Sequence, residues 1–447
     1  MNDLDLLVLG GGVCGLGIAR LAARTGWRVA LLERADLAAG ASSATSHMLH
    51  GGLRYLEHGQ FALVREALAE RAAVSRMAPA LARPVRFLVP VWRRGRVPGW
   101  KLRAGLALYD LLAGRANLSR HGMTGAAGAR ALEPDLEPRG LAGAGLYSDA
   151  VMDDARLAVA VARDAAAHGA ALHPRTTLTA LKPAAEAGWL EAEARSEAGE
   201  PLHLRARLIV NATGAWADRT RTELLRMLTP GAPDPPRLLR PSRGTHLLYP
   251  ALTRGHALLL LAGDGRPFFV IPFAGRSLVG TTEVEVDSPP GEAETAPTLE
   301  EVRYLHAALA RALPPAADAR PLAVYAGVRP LLAAPGSVGG APREHRVVED
   351  GPLLTVVGGK YTTFRAMARD ALAHAAARLG GDPRALAESA APLPTPLPDA
   401  ADDVALGARA AGEEFALHLD DALRRRSTRW LADDRGLGAA PEVAGAM

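Results

Sequence analysis

The stretch Leu4-Asp5-Leu6-Leu7-Val8-Leu9-Gly10-Gly11-Gly12-Val13-Cys14-Gly15 decides the fold. Leu4 to Leu9 is an apolar run of strand length. Val13 to Thr25 has helical spacing and stops at Gly26, and Arg28 to Leu32 is a second apolar run closed by Glu33. Strand, glycine turn, helix and strand make a βαβ unit. Gly10, Gly12 and Gly15 stand in Gly-x-Gly-x-x-Gly order, and Glu33 lies 18 positions after Gly15. Glycines at these places permit a tight turn and a close backbone approach, the helix N-terminus faces a pyrophosphate, and an acidic residue accepts from ribose hydroxyls. The reading is an α/β chain that opens on a Rossmann-like dinucleotide-binding domain. Cys14, inside the turn, is the only cysteine. With no second thiol to resolve an oxidised sulfur, it reads as a small residue beside the dinucleotide.

The rest of the composition narrows the class. At 447 residues the chain exceeds what one core usually serves. It is 49% apolar and 22% charged with a formal charge of +4, as expected of a folded globular protein. A pI near 9.4 suits an anionic substrate or an anionic surface. A lone cysteine excludes a disulfide framework and a thiolate metal site, and the thirteen histidines lack zinc-ligand spacing, so no metal is expected. Met1 to Asp5 lack the basic start of a signal peptide and no apolar run reaches membrane-spanning length. The expectation is a cytoplasmic protein, with any membrane contact peripheral.

Further along, Phe61 to Met77 and Asp154 to His168 are predicted helices. Ala170 to Leu181, Trp189 to Arg195 and Pro201 to Arg207 alternate like antiparallel strands, as do Gly244 to Tyr249, Pro267 to Ile271 and Ser277 to Thr282. Between Arg83 and Arg120 nine basic residues face one acid, Asp110, and Trp92 and Trp100 lie among them. This stretch is a candidate footprint for anionic lipid or a solvated basic face. No nucleic-acid module accompanies the charge, so nucleic acid is not an expected partner. Ala391 to Asp399 is a proline-rich linker, and Ala401 to Trp430 reads as amphipathic helix.

The fingerprint alone does not separate NAD from FAD. The next segment does, because the hydroxyls and glycines of Ala41-Ser42-Ser43-Ala44-Thr45-Ser46-His47-Met48-Leu49-His50-Gly51-Gly52-Leu53-Arg54-Tyr55-Leu56-Glu57 can lie along a flavin and its phosphates. This run resembles the signature of the FAD-dependent glycerol-3-phosphate dehydrogenases. Further blocks are similar to that family's, in its order: Tyr147-Ser148-Asp149 with Asp153 to Leu157, Asn211 to Trp216, Gly280 to Glu285, Gly327 to Leu331 and Gly358 to Thr363. Asp420 to Arg426 resembles the family's C-terminal helical domain, although the region before it is shorter. His47 departs from the pattern, since many relatives carry lysine there.

The resemblance implies a D-amino-acid-oxidase-like flavoprotein: a Rossmann-like FAD-binding domain, an antiparallel-sheet substrate domain and a small C-terminal helical domain. The segments expected are 1–82, 146–215 and 324–385 for FAD, 83–145 and 216–323 for substrate, and 386–447 for linker and helical domain. It implies oxidation of sn-glycerol 3-phosphate to dihydroxyacetone phosphate, with hydride passing from C2 to flavin N5 and electrons to a quinone. A homodimer is among the expected assemblies.

For the cofactor, the expected residues are Gly10, Gly12, Cys14, Gly15, Glu33, Ser42, Ser43, Ser46, His50, Gly51, Gly52, Thr213, Gly214, Gly359, Lys360 and Thr362. Gly358-Gly359 before a helix is expected to aim N–H groups at the flavin's pyrimidine end. Arg54, Tyr55, Thr282, Arg329 and Lys360 are the expected substrate residues, because a planar guanidinium matches phosphate oxygens and a lysine adds a point charge. His50, favoured for its place beside the flavin segment, and His246 are the candidate proton acceptors; Arg329 is an alternative stabiliser of alkoxide charge. Rival readings are an oxygen-using oxidase of the same substrate, a same-fold flavoenzyme acting on an amine or 2-hydroxy acid, and a flavin-binding protein without turnover.

Overall fold

The computed structural model describes residues 2–287, 295–334, 343–380, 390–394 and 402–447. The strand Asn2–Leu9 lies at the centre of an eight-stranded sheet, among the described residues, between Pro201–Asn211 and Val29–Leu32. Both pairings are parallel, with Leu6 opposite Leu208 and Val29. A central parallel strand is covered on both faces, which is why Leu6 to Leu9 is a continuous apolar run and does not alternate. Leu6 and Val8 pack under the helices Val13–Arg24, Asp154–Ala167 and Phe364–Leu379. Leu7 and Leu9 pack on the opposite face with Leu224 of the helix Ala217–Leu228 and with the antiparallel strands Thr176–Pro183 and Leu190–Ser196.

The second sheet has ten strands among the described residues. Ser242–Pro250 pairs antiparallel with both Arg276–Gly280 and Ala323–Arg329. From Arg276–Gly280 the order continues through Pro267–Phe273, Ala257–Leu261, Ala82–Trp92 and Leu141–Met152. It is not wholly antiparallel: Ala257–Leu261 runs parallel to Ala82–Trp92. That second strand and the helix Gly99–Ala113 lie within the basic stretch, where the sequence predicted neither. Arg83, Pro84, Arg86 and Pro90 interrupt the alternation that would have announced the strand.

Two further differences concern breaks. Ala170 to Leu181 is two strands, Ala171–His173 and Thr176–Pro183, separated at Arg175, whose φ is +49°. Ala401 to Trp430 is two helices, Asp403–Glu413 and Leu419–Arg425, separated at Phe415 with φ +60°. Leu406, Ala410, Ala422 and Val443 give this C-terminal unit a small core of its own. Of the expected linker, residues 395–399 lie outside the described residues, as does the expected boundary at 385/386.

Candidate functional site

One cavity of about 660 Å³ runs from the glycine turn of the first sheet to His246, Phe269 and Arg329 of the second. Its first half is built by the βαβ unit. Gly10 has φ +109°, and a Cβ there would sit 2.6 Å from the Ala212 carbonyl oxygen, so only glycine lets the two parallel strand ends approach. Gly15 does not line the cavity. A Cβ on it would lie 1.9 Å from the Gly10 carbonyl oxygen, so its role is to seat the helix on the turn. Gly12 caps the helix without a side chain, no acidic residue follows in the first turn, and the positive helix end therefore faces the cavity unopposed. Val13 N–H donates to Ser42 Oγ (2.9 Å), which brings the second segment onto the helix end.

Glu33 closes the second strand and lines the cavity. Its carboxylate accepts from Gly11 N–H (2.6 Å) and Ala35 N–H (2.8 Å). Burial raises its pKa, and these two N–H groups oppose that rise. Thr213 and Gly214 line the opposite wall, where Thr213 Oγ1 donates to Asn211 Oδ1 (2.7 Å). Cys14 also lines the wall, and burial pushes its thiol up to about 12. A thiol that stays protonated is no nucleophile, in keeping with a packing role. An open helix end, a turn tolerating no Cβ and a carboxylate at the second strand's end together fit a dinucleotide such as FAD.

The second half is cationic. Lys360 follows Gly358 and Gly359, whose φ values of +76° and +77° turn the chain from strand to helix and point the lysine inward. Its Nζ is buried, has no hydrogen-bond partner among the described residues, and lies 4.0 Å from the centre of the Tyr55 ring. Burial, followed by the charge of Arg343, pulls the ammonium down to about 7. Arg329, at the end of Ala323–Arg329, is fixed by Thr281 Oγ1 (2.6 Å) and the Thr282 carbonyl oxygen (3.3 Å). It has been lowered to about 10 by burial and by Arg343. Arg54 lines the same space.

His50 and His246 both line the cavity, and both are neutral at pH 7. Burial, then Lys360, holds the His50 imidazolium down to about 3. Burial, then Arg329, holds His246 well below its ordinary value. His246 Nε2 lies 2.8 Å from Ser46 Oγ, its ring stacks on Tyr325 at 5.0 Å, and its Nδ1 is buried without a hydrogen-bond partner among the described residues.

Several expected site residues sit differently. Thr282 lends the cavity a wall, but its hydroxyl donates to Glu301 (2.7 Å) and accepts from Thr245 N–H (2.9 Å), which commits it to the sheet. Gly359 N–H donates to the Glu344 carbonyl oxygen (2.9 Å) and is not aimed at the cavity. Gly359 itself lines the cavity, whereas Ser43 and Gly51 do not; Gly51 N–H donates to Tyr109 Oη (2.9 Å). His47 turns into the protein, with Nδ1 3.1 Å from the Met152 carbonyl oxygen and its ring 4.1 Å from Phe273. The remaining expected residues, Gly52, Tyr55 and Thr362, line the cavity.

Sequence reasoning missed Arg343 and Glu283. Arg343 Nη2 donates to Glu283 Oε1, both residues line the cavity, and Arg343 Nε is buried without a hydrogen-bond partner among the described residues. Arg343 lies in no glycine-rich block, so the only signal was its charge; Glu283 was inside a quoted block but had no chemistry assigned.

Comparison with known proteins agrees with this geometry. Residues 5–384 match the family described as FAD dependent oxidoreductase. A glycerol-3-phosphate dehydrogenase of Pseudomonas aeruginosa is 39% identical over 377 residues, covering 82% of this chain and 70% of that one. D-erythritol 1-phosphate dehydrogenase of Brucella abortus is 37% identical, covering 85% and 75%. Among solved structures, the glycerol-3-phosphate dehydrogenase of Bacillus halodurans, complexed with FAD, superposes with a TM-score of 0.65 at 26% identity. That match covers 85% of this chain and 66% of the Bacillus one, so this chain spans about two thirds of its length. The glycine turn, Glu33 and the match over residues 5–384 lead to one conclusion: this chain belongs to the FAD dependent oxidoreductase family, and FAD is its cofactor.

Proposed function

We propose that this enzyme oxidises sn-glycerol 3-phosphate at C2 to dihydroxyacetone phosphate and passes the two electrons on to a quinone. The observation that carries the reading is Lys360: among the described residues its buried ammonium has no hydrogen-bond partner, and it faces a cavity that also presents Arg54, Arg329 and Arg343. Among the described residues Lys360 and Arg329 are held out of water with no carboxylate bonded to either, which calls for an anion, and a phosphate dianion supplies two charges and several acceptors. Glu283 is paired with Arg343, which leaves Lys360 for the ligand. The two curated relatives described above are named for phosphorylated polyols, which supports the same substrate class.

FAD, when bound, supplies the two-electron acceptor for the hydride of C2. The chain's own groups do the rest. Arg329, immobilised by Thr281 and the Thr282 carbonyl, is placed to stabilise developing negative charge on the C2 oxygen without reorganising. His50 is the proposed acceptor of the hydroxyl proton, since it enters the reaction neutral. A phosphate dianion beside Lys360 and Arg343 offsets two of the charges that hold His50 down, so substrate binding makes the imidazole a better base.

The test is anaerobic bleaching of the yellow protein by sn-glycerol 3-phosphate, with glycerol, the opposite enantiomer, D-erythritol 1-phosphate and 2-hydroxy acids as comparisons. Rapid bleaching by the three-carbon phosphate alone is expected. Bleaching by a 2-hydroxy acid, or faster bleaching by the four-carbon phosphate, would reassign the substrate. Fast peroxide-yielding reoxidation in air would replace the quinone with oxygen.

A quinone acceptor implies contact with lipid. No helix among the described residues is long and apolar enough to cross a membrane. The helix Gly99–Ala113 exposes Trp100 and Leu111, each to 75%, and carries exposed Lys101 and Arg103 beside them. We assign it to an anionic lipid surface. Trp92 takes no part, because its Nε1 donates to the Glu137 carbonyl oxygen (3.1 Å). Co-sedimentation with anionic but not neutral vesicles, lost in Trp100→Ala, is the expected result; equal sedimentation of both proteins would remove the assignment.

A further inference from the structure

The loop that follows Glu33 is gripped from the far end of the chain. Asp36 is 1% exposed and lies three residues beyond the carboxylate that closes the second strand. Arg426, itself fully buried, reaches it with both terminal nitrogens, Nη1 to Oδ2 at 2.7 Å and Nη2 to Oδ1 at 2.6 Å. Arg425 Nε adds a third bond to Oδ2 at 2.5 Å. Arg425 also donates to Asp421 Oδ1 (2.6 Å), which accepts from Arg175 Nη2 as well (2.8 Å). Arg175 in turn holds the same loop through its backbone, since its N–H donates to the Ala35 carbonyl oxygen (2.9 Å). Thr176 N–H donates to the Glu33 carbonyl oxygen (2.8 Å). The backbone from Glu33 to Asp36 is thus bracketed by the first sheet on one side and by the C-terminal helical unit on the other.

A buried ion pair of this kind is a poor source of net stability, because desolvation of both partners cancels most of the attraction. What it supplies is a fixed geometry: two guanidiniums on one carboxylate admit a single arrangement. The geometry being fixed here is that of the cofactor cavity, whose wall includes Glu33, Arg34 and Ala35. We propose that Arg425 and Arg426 are positioning residues for FAD: by clamping Asp36, the C-terminal unit holds Glu33 to Asp36 in the shape that receives the ribose end of the cofactor. Coupling of this sort is reciprocal, so FAD also tightens the docking of the C-terminal unit. The inference rests on FAD being the cofactor and not on the substrate assigned above, so bleaching by a different substrate would leave it standing.

The experiment titrates full-length apoprotein with FAD and follows flavin fluorescence in the wild type, Arg426→Met and Leu309→Ala. Leu309 is buried in the core beneath the second sheet, so its truncation lowers stability without touching the clamp. Arg426→Met is expected to weaken FAD binding by roughly tenfold or more, within the usual range of coupling between sites, while Leu309→Ala changes it by less than about twofold. Unchanged FAD affinity in Arg426→Met, or equal weakening in both, would overturn the proposal. A second measurement needs no variant: in the wild type, amide exchange across Leu419–Arg425 should slow when FAD is added. Exchange there that ignores FAD would overturn it equally.

Discussion

Replacing Lys360 with methionine should make this protein more stable and a worse enzyme. The amine is buried, has no hydrogen-bond partner among the described residues, and has been lowered from 10.5 to about 7 by burial and then by Arg343. A lysine whose folded pKa lies below its unfolded one binds fewer protons in the folded state between those two values. The folded state is therefore penalised most below pH 7, and the penalty fades as pH rises toward 10.5. Proton linkage puts it at about 4 kcal/mol at pH 7 and about 2 kcal/mol at pH 9. Methionine keeps the apolar stem, but the contact with the Tyr55 ring, about 1 kcal/mol, is lost. At pH 9 the wild-type amine is already neutral and has no cation–π contact to lose, so the net gain is about 3 kcal/mol at pH 7 and about 2 kcal/mol at pH 9. Spread over the unfolding entropy of 447 residues, it raises Tm by roughly 3 °C at pH 7 and roughly 2 °C at pH 9. The assay is calorimetry of the FAD-loaded, substrate-free protein at both pH values, with KM measured in parallel. Loss of a charge-assisted bond to phosphate should raise KM by roughly 10- to 100-fold. A variant less stable than the wild type at pH 7, or a gain independent of pH, would refute the claim that an unmatched buried charge is stored at this position.

Two other outcomes follow from the same geometry. The pH profile of kcat/KM should be bell-shaped, rising near pH 6 as the substrate's phosphate loses its second proton and falling above about 7 as free Lys360 loses its charge. Lys360→Arg, which stays charged, should carry the falling limb beyond pH 9, and an unmoved limb would assign it to another group. Glu301→Gln should destabilise the fold by about 3–5 kcal/mol, because it strips the buried Arg243 of its carboxylate (2.9 Å) and weakens the anchor shared by Thr245, Thr282 and Thr298. Denaturant unfolding measures this, and a change below about 1 kcal/mol would mean that the ion pair is dispensable.

The sequence by itself determined the βαβ opening, because its signals are local: a strand-length apolar run, glycines whose spacing matches one turn, and an acid at the end of the next strand. It also placed Arg54, Arg329 and Lys360 in glycine-rich blocks, three segments far apart in the chain that fold to one cavity. It did not reveal the strand Ala82–Trp92, since two prolines and two arginines break its alternation, and in a sheet the partner strands decide such a segment. Nor did it separate Lys360, left without a hydrogen-bond partner among the described residues, from Thr282, whose hydroxyl is consumed by Glu301, 19 positions further on; side-chain partnership is settled only by packing. Arg343 joined the site for the same reason, and the grip of Arg426 on Asp36 spans 390 positions, a distance over which sequence pattern carries no information. Local chemistry chose the cofactor's turn, while desolvation and charge pairing, which exist only once the chain is packed, decided which cations were left for a ligand.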